Sequence, residues 1–123
     1  MKVILSIKPK YAHKILEGNK TYELRKNIFK NSEIKTVLIY ASAPISKIIG
    51  EFEIDKIIHL ELDKLWKAVK DKAEVDKEFF DEYFASKQKG YAIAIKNVKK
   101  YKTSIDISEK YGIKAPQSFA YVK

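Results

Sequence analysis

The sequence predicts an α+β domain, a partly closed β-barrel of about five to six short strands with helices inserted between them. Three features point to it. Short runs rich in β-branched residues recur along the chain, two segments in the middle switch to a helical period, and turn residues separate the pieces. At 123 residues the chain has the length of one domain, read as residues 1–123, with material for a single core.

Val3, Ile4, Leu5 and Ile7 form the first strand, and Pro9, tolerated at the first helical position, opens a helix over residues 9–17. In that helix Tyr11, Ala12, Ile15 and Leu16 recur at three- and four-residue spacing, and Gly18 stands where a left-handed cap is needed. Residues 20–25 alternate, which turns Tyr22 and Leu24 to the core and puts Thr21, Glu23 and Arg25 together on the other face. Residues 37–41 read as a buried strand ended by Ser42-Ala43-Pro44. A longer strand, residues 48–59, alternates Phe52 and Ile54 with Glu51, Glu53 and Asp55, and Gly50 within it marks a bulge or a close approach.

From Leu62 the period changes. Leu62, Leu65, Trp66 and Val69 make a helical stripe, with Lys67 and Asp71 as an exposed i,i+4 pair. Asp76 caps a second helix over residues 77–84, whose Phe79, Phe80 and Tyr83 read, like Trp66, as core rather than as a ligand platform. Gly90 opens a strand at residues 91–95 that runs on toward Tyr101 among Lys96, Lys99 and Lys100. A turn of helix at residues 108–111 stops at Gly112, and residues 115–122 supply a final strand able to close the sheet.

Composition excludes several classes. The longest apolar runs fall far below the roughly 18 residues that cross a bilayer. The first residues lack the long apolar core of a secretion signal, so a cytoplasmic location is expected. With no cysteine and only His13 and His59, neither a metal site nor a cofactor is expected. The net charge of +9 is uneven: residues 1–59 hold 11 basic and 6 acidic side chains, residues 60–88 hold 6 and 8, and residues 89–123 hold 8 and 2. Ends brought together in space would make one basic face, the footprint of a polyanion binder, although lysine-rich composition also serves solubility alone.

Of the 25 basic residues only Arg25 is arginine. A planar guanidinium makes paired hydrogen bonds to phosphate, carboxylate or a base edge, which an ammonium does poorly, so Arg25 is the first candidate site residue. The competing reading is a structural bridge, with Glu23 as partner across one strand face.

The stretch Leu5-Ser6-Ile7-Lys8-Pro9, followed by Ile15-Leu16-Glu17-Gly18-Asn19-Lys20-Thr21-Tyr22-Glu23-Leu24-Arg25, resembles the signature of the ASCH domain, within the PUA-like superfamily. The segment from Val37 to Gly50 and the tail Pro116-Gln117-Ser118-Phe119 resemble prokaryotic members as well. The resemblance implies a PUA-like barrel with a cleft where the first helix turn meets the barrel mouth, and binding of RNA or of a modified nucleoside or nucleotide. It also implies, as an alternative, a metal-free hydrolase: a ribonuclease or an N4-acetylcytidine amidohydrolase. Lys20 matches the lysine of the amidohydrolase branch, but Glu23 stands where that branch has its nucleophilic threonine, and its catalytic glutamate has only Glu61 and Glu74 as available counterparts.

In such a cleft Lys8 and Lys20 would meet phosphate, Arg25 phosphate or a base edge, and Glu23 an exocyclic amine or a ribose hydroxyl. Tyr40 or Phe119 would offer a stacking face, and Ser42, Gln117 and Ser118 neutral donors. For catalysis Lys20 and Glu23 would perform the acid–base work, with Thr21 or Ser42 as the hydroxyl nucleophile. A protein-interaction role for the aromatic, acidic helix pair 62–84 is a third reading.

Overall fold

The computed structural model describes residues 1–123. Six strands form one sheet: β1 (Lys2–Ile7), β2 (Tyr22–Arg25), β3 (Thr36–Ala41), β4 (Lys47–Glu61), β5 (Lys89–Ile105) and β6 (Phe119–Val122). The helices are α1 (Pro9–Leu16), α2 (Leu62–Val69), α3 (Lys77–Tyr83) and α4 (Ile107–Tyr111). The spatial order is β2-β5-β4-β3-β1-β6; β1 and β3 run parallel, and every other pairing is antiparallel. The α+β class stands, but the sheet is not closed. β6 pairs only with β1, so β2 and β6 remain as edges with a seam between them.

Period-two alternation divides the apolar side chains between the two faces of the sheet. Val3, Leu5, Ile7, Val37, Ile39, Phe52 and Ile93 pack with Ala12 and Ile15 of α1 in the main core. On the opposite face Leu24 and Ala92 meet Leu65, Val69, Phe80 and Phe84 from the α2–α3 segment, while Ile4, Leu38, Tyr40 and Ile48 meet Ile107 of α4. Because helices cover that second face, β1 and β3 read as continuous apolar runs.

The punctuation behaves as the sequence implies. Gly18 and Gly112 adopt φ of 85° and 68°, a region costly for residues with a Cβ. Asp76 accepts from the Phe79 amide at 2.8 Å and so caps α3. At Gly50 an added Cβ would lie 2.6 Å from both Leu16 Cδ2 and the Lys99 carbonyl oxygen, so the close approach is real. β4 also shifts register between Ile54 and Lys56, after which Ile57 and His59 face the same side as Phe52 and Ile54. One expected pair does not form: α2 ends at Val69, which leaves Asp71 beyond the helix, and no ion pair joins it to Lys67. No helix is long and apolar enough to cross a membrane.

Candidate functional site

A cleft of about 540 Å³ opens at the seam between the two sheet edges. The end of β1 contributes Ser6 and Lys8, α1 contributes Tyr11, and β2 with its following turn contributes Glu23, Arg25 and Lys26. Phe79, Glu82 and Tyr83 of the α3 segment form one wall, and Gln117 and Ser118, just before β6, lie at the other edge. The volume lies within the roughly 300–1,000 Å³ range of small-molecule sites.

Two charged residues sit at its buried end. Lys20 is 2% exposed and Glu23 7%. The Lys20 ammonium donates to the Ala73 carbonyl and stands 5.2 Å from the centre of the Tyr11 ring. Burial holds its pKa below the ordinary lysine range, an effect that the negative charge of Glu23 opposes.

Arg25 spans the seam. Its Nη1 donates to Glu23 Oε2 at 3.3 Å and to the Ser6 carbonyl at 3.2 Å; its Nη2 donates to Ser118 Oγ at 2.7 Å and to the Ser118 carbonyl at 3.2 Å. One guanidinium thus ties β2 to β1 and to the segment that leads into β6, a task that needs its fork geometry. The structural-bridge reading and a place in the cleft both hold for this residue.

The aromatic wall is built by α3. Phe79 and Tyr83, one helical turn apart, stack with centroids 5.9 Å apart and planes within 9°, and Tyr11 tilts against Phe79 at 5.6 Å. Lys26 lies 5.0 Å over the Tyr83 ring. Burial raises the Tyr83 phenol above its ordinary value, and Arg25 opposes that rise.

Of the residues singled out from sequence, Lys8, Lys20, Glu23, Arg25, Gln117 and Ser118 line this one cleft. Four others do not. Tyr40 belongs to the Leu38 side of β3 and is buried beneath α4 on the opposite face of the sheet. Phe119 packs on the main core, 6.0 Å from Phe29. Ser42 lies in the turn after β3, its amide donating to the Ile7 carbonyl. Thr21 precedes β2 rather than sharing its face, with its amide on the Lys72 carbonyl and its own carbonyl accepting from Ile95. The hydroxyl nucleophiles proposed from sequence, Thr21 and Ser42, therefore stand outside the cleft. So do Glu61, which precedes α2 without a side-chain capping bond, and Glu74, which approaches Lys14 at 4.0 Å.

Among the lining residues that sequence reasoning missed are Tyr11, Lys26, Phe79 and Tyr83. The sequence places Phe79 and Tyr83 in the core because the 3.6-residue period marks an apolar face without saying what that face meets. Here the face is shared: Phe80 and Phe84 turn to the core, Phe79 lines the cleft, and Tyr83 does both, packing against the core cluster while bordering the cleft.

An open six-stranded sheet with helices on both faces and a charged cleft at its seam defines the structural class. The ASCH domain family model matches residues 5–114, and the chain belongs to that family. A large ribosomal subunit protein of Ureaplasma parvum is 28% identical over 126 residues, covering 98% of this chain but 39% of that protein. An ASCH domain-containing ribonuclease of Zymomonas mobilis is 26% identical over 94 residues, which is 76% of this chain and 64% of that protein. The chain thus spans well under half of the ribosomal relative and just under two thirds of the ribonuclease. The solved structure of an ASCH protein from Zymomonas mobilis superposes with a TM-score of 0.92 at 23% identity, covering 99% of this chain and 87% of that one. A serine-to-alanine variant of the same protein gives 0.92 at 22% identity, with 88% of its chain covered.

Proposed function

We propose that the chain, acting as one domain, binds RNA or a modified nucleoside in the seam cleft. The observation that carries this reading is the juxtaposition, in one hollow, of four cationic side chains with a stacked aromatic wall. Lys8 and Lys26 are exposed where phosphates would pass, and Phe79 and Tyr83 offer the flat face on which a base stacks. The Zymomonas relative named a ribonuclease supports an RNA ligand.

The test is binding of short single-stranded RNA across a salt series. Affinity falls steeply with salt; Lys26→Ala lowers the slope of log K against log salt by about 0.7, the share of one phosphate contact on a single strand. Phe79→Ala removes a stacking partner worth roughly 1–3 kcal/mol per base, so it weakens binding about five- to 150-fold without altering that slope. No binding at low salt would refute the reading.

One observation favours a second reading, metal-free RNA cleavage: the buried Lys20 has a lowered pKa and shares the cleft with the Glu23 carboxylate. In such a reaction the RNA supplies its own nucleophile. Glu23 takes the 2′-hydroxyl proton, the 2′-oxygen attacks the adjacent phosphorus, and Lys20 protonates the departing 5′-oxygen, leaving a 2′,3′-cyclic phosphate. Cleavage products ending in that cyclic phosphate, lost with Lys20→Gln while RNA binding persists, would establish it. Intact RNA after prolonged incubation would leave the binding reading alone.

A further inference from the structure

Resting on the binding reading, we propose that Glu23 Oε1 is the acceptor that reads the base. The ligand enters base first and presents a nucleobase N–H to this oxygen, while its phosphates stay out at the exposed Lys8 and Lys26.

The Glu23 side chain is 9% exposed. Its one protein hydrogen bond, from Arg25, uses Oε2. Every fully enclosed polar side-chain atom in the molecule has a partner, so Oε1, which has none, faces the open cleft. A carboxylate oxygen desolvated to this degree and lacking a donor is a receptor for N–H or O–H. Arg25 anchors the carboxylate through its other oxygen, Oε2, at 3.3 Å, which restrains where Oε1 lies.

Lys20 complements it. The ammonium makes no ion-pair contact with Glu23 within 4.0 Å, and only one of its three protons is engaged, on the Ala73 carbonyl. The same cleft is therefore lined by an acceptor and by donors with no protein partner. A base edge offers the matching pattern, an N–H beside an oxygen or nitrogen acceptor, whereas a phosphate offers acceptors alone and is repelled by the carboxylate. The stacked Phe79 and Tyr83 rings select for a flat ligand beside the same oxygen. A ribose hydroxyl is the other available donor, and it lacks the planar face that this wall matches.

The experiment measures the affinity of the whole chain for pentamers of uridine and of N3-methyluridine, and of cytidine and N4,N4-dimethylcytidine. Each methylated probe has lost its base N–H and kept its phosphates and sugar. The expected result is that the methylated pentamers bind at least about tenfold more weakly at equal salt, and that Glu23→Gln, whose single amide oxygen takes the Arg25 bond and leaves its NH2 toward the cleft, abolishes the difference. The probe comparison on the unaltered chain needs no variant, so misfolding of Glu23→Gln cannot obscure it. Equal affinity for plain and methylated pentamers would overturn the assignment, as would a loss that follows removal of the 2′-hydroxyl instead of methylation. If no pentamer binds at low salt, the binding reading itself falls, a result distinct from binding without base discrimination.

Discussion

Replacing Arg25 by lysine keeps the charge and removes the fork, so Arg25→Lys isolates what geometry contributes at the seam. The guanidinium makes four hydrogen bonds at 2.7–3.3 Å, to Ser6, Glu23 and two atoms of Ser118, from a side chain 11% exposed. An ammonium at the end of a flexible stem satisfies about two of these acceptors and cannot reach Ser6 and Ser118 in the same planar arrangement. Loss of about two charge-assisted bonds, at roughly 1.5 kcal/mol each, puts the destabilisation near 2–3 kcal/mol once partial exposure of Ser118 is allowed for. For a chain of this length that lowers Tm by roughly 10 °C. Urea denaturation should show a lower midpoint with an unchanged m-value, and hydrogen exchange should show faster exchange in β6, the edge that Arg25 tethers. An Arg25→Lys protein within 0.5 kcal/mol of wild type, with β6 protection intact, would refute the claim that the fork closes the seam.

Gly50→Ala forces a methyl against the Lys99 carbonyl oxygen and Leu16 Cδ2, each 2.6 Å away, and the backbone oxygen has no cheap escape. A loss of about 1–3 kcal/mol is expected in thermal unfolding, against little change for an alanine placed at an exposed strand position. Lys20, whose folded pKa is depressed chiefly by burial, holds its proton more weakly folded than unfolded. The unfolded chain therefore binds more protons as pH rises through the folded pKa toward the ordinary lysine value, and stability relative to Lys20→Met rises over that window; a flat difference would contradict the shift. Asp106 shifts in the same direction from the opposite cause, stabilisation of its charged form. Its pKa is lowered to about 2 by the Glu109 backbone N–H, with Ser108 and Lys47 adding to the effect. Its contribution is complete above about pH 4 and is lost as pH falls toward 2, so Asp106→Asn flattens that acid limb of the stability curve.

The framework was legible because its signals are local. Pro9 and Gly18 bracket α1, Asp76 caps α3, Gly112 ends α4, and the alternation through residues 22–25 assigns Tyr22 and Leu24 to one face and Glu23 and Arg25 to the other. The misplacements share one physical cause, that a period reports which residues are apolar and not what covers them. Tyr40 lies on a strand buried on both faces, and only the packing of Ile107 from α4, far along the chain, decides that its ring is core. Phe79 and Phe80 are neighbours on one helix, yet one borders the cleft and the other the core, because α3 sits at the seam. Burial of Lys20 depends on the Ala73 carbonyl, 53 residues away, a pairing for which the sequence carries no signal.

The charges at the buried end of the cleft argue against a purely structural origin. Removing a carboxylate and an ammonium from water costs several kcal/mol per ion, and an apolar pair of similar volume generally fills such a space with equal or greater stability. When burial serves the fold, the two charges meet and satisfy one another. Here they do not: Glu23 spends one oxygen on Arg25, Lys20 one proton on a carbonyl, and the remaining capacity of both opens into the same hollow. Arg25 then has a double consequence, because the guanidinium that ties the sheet edges together also anchors the Glu23 carboxylate. A seam left open by the strands and spanned by Arg25 joins the stability of the fold to the geometry of the cleft.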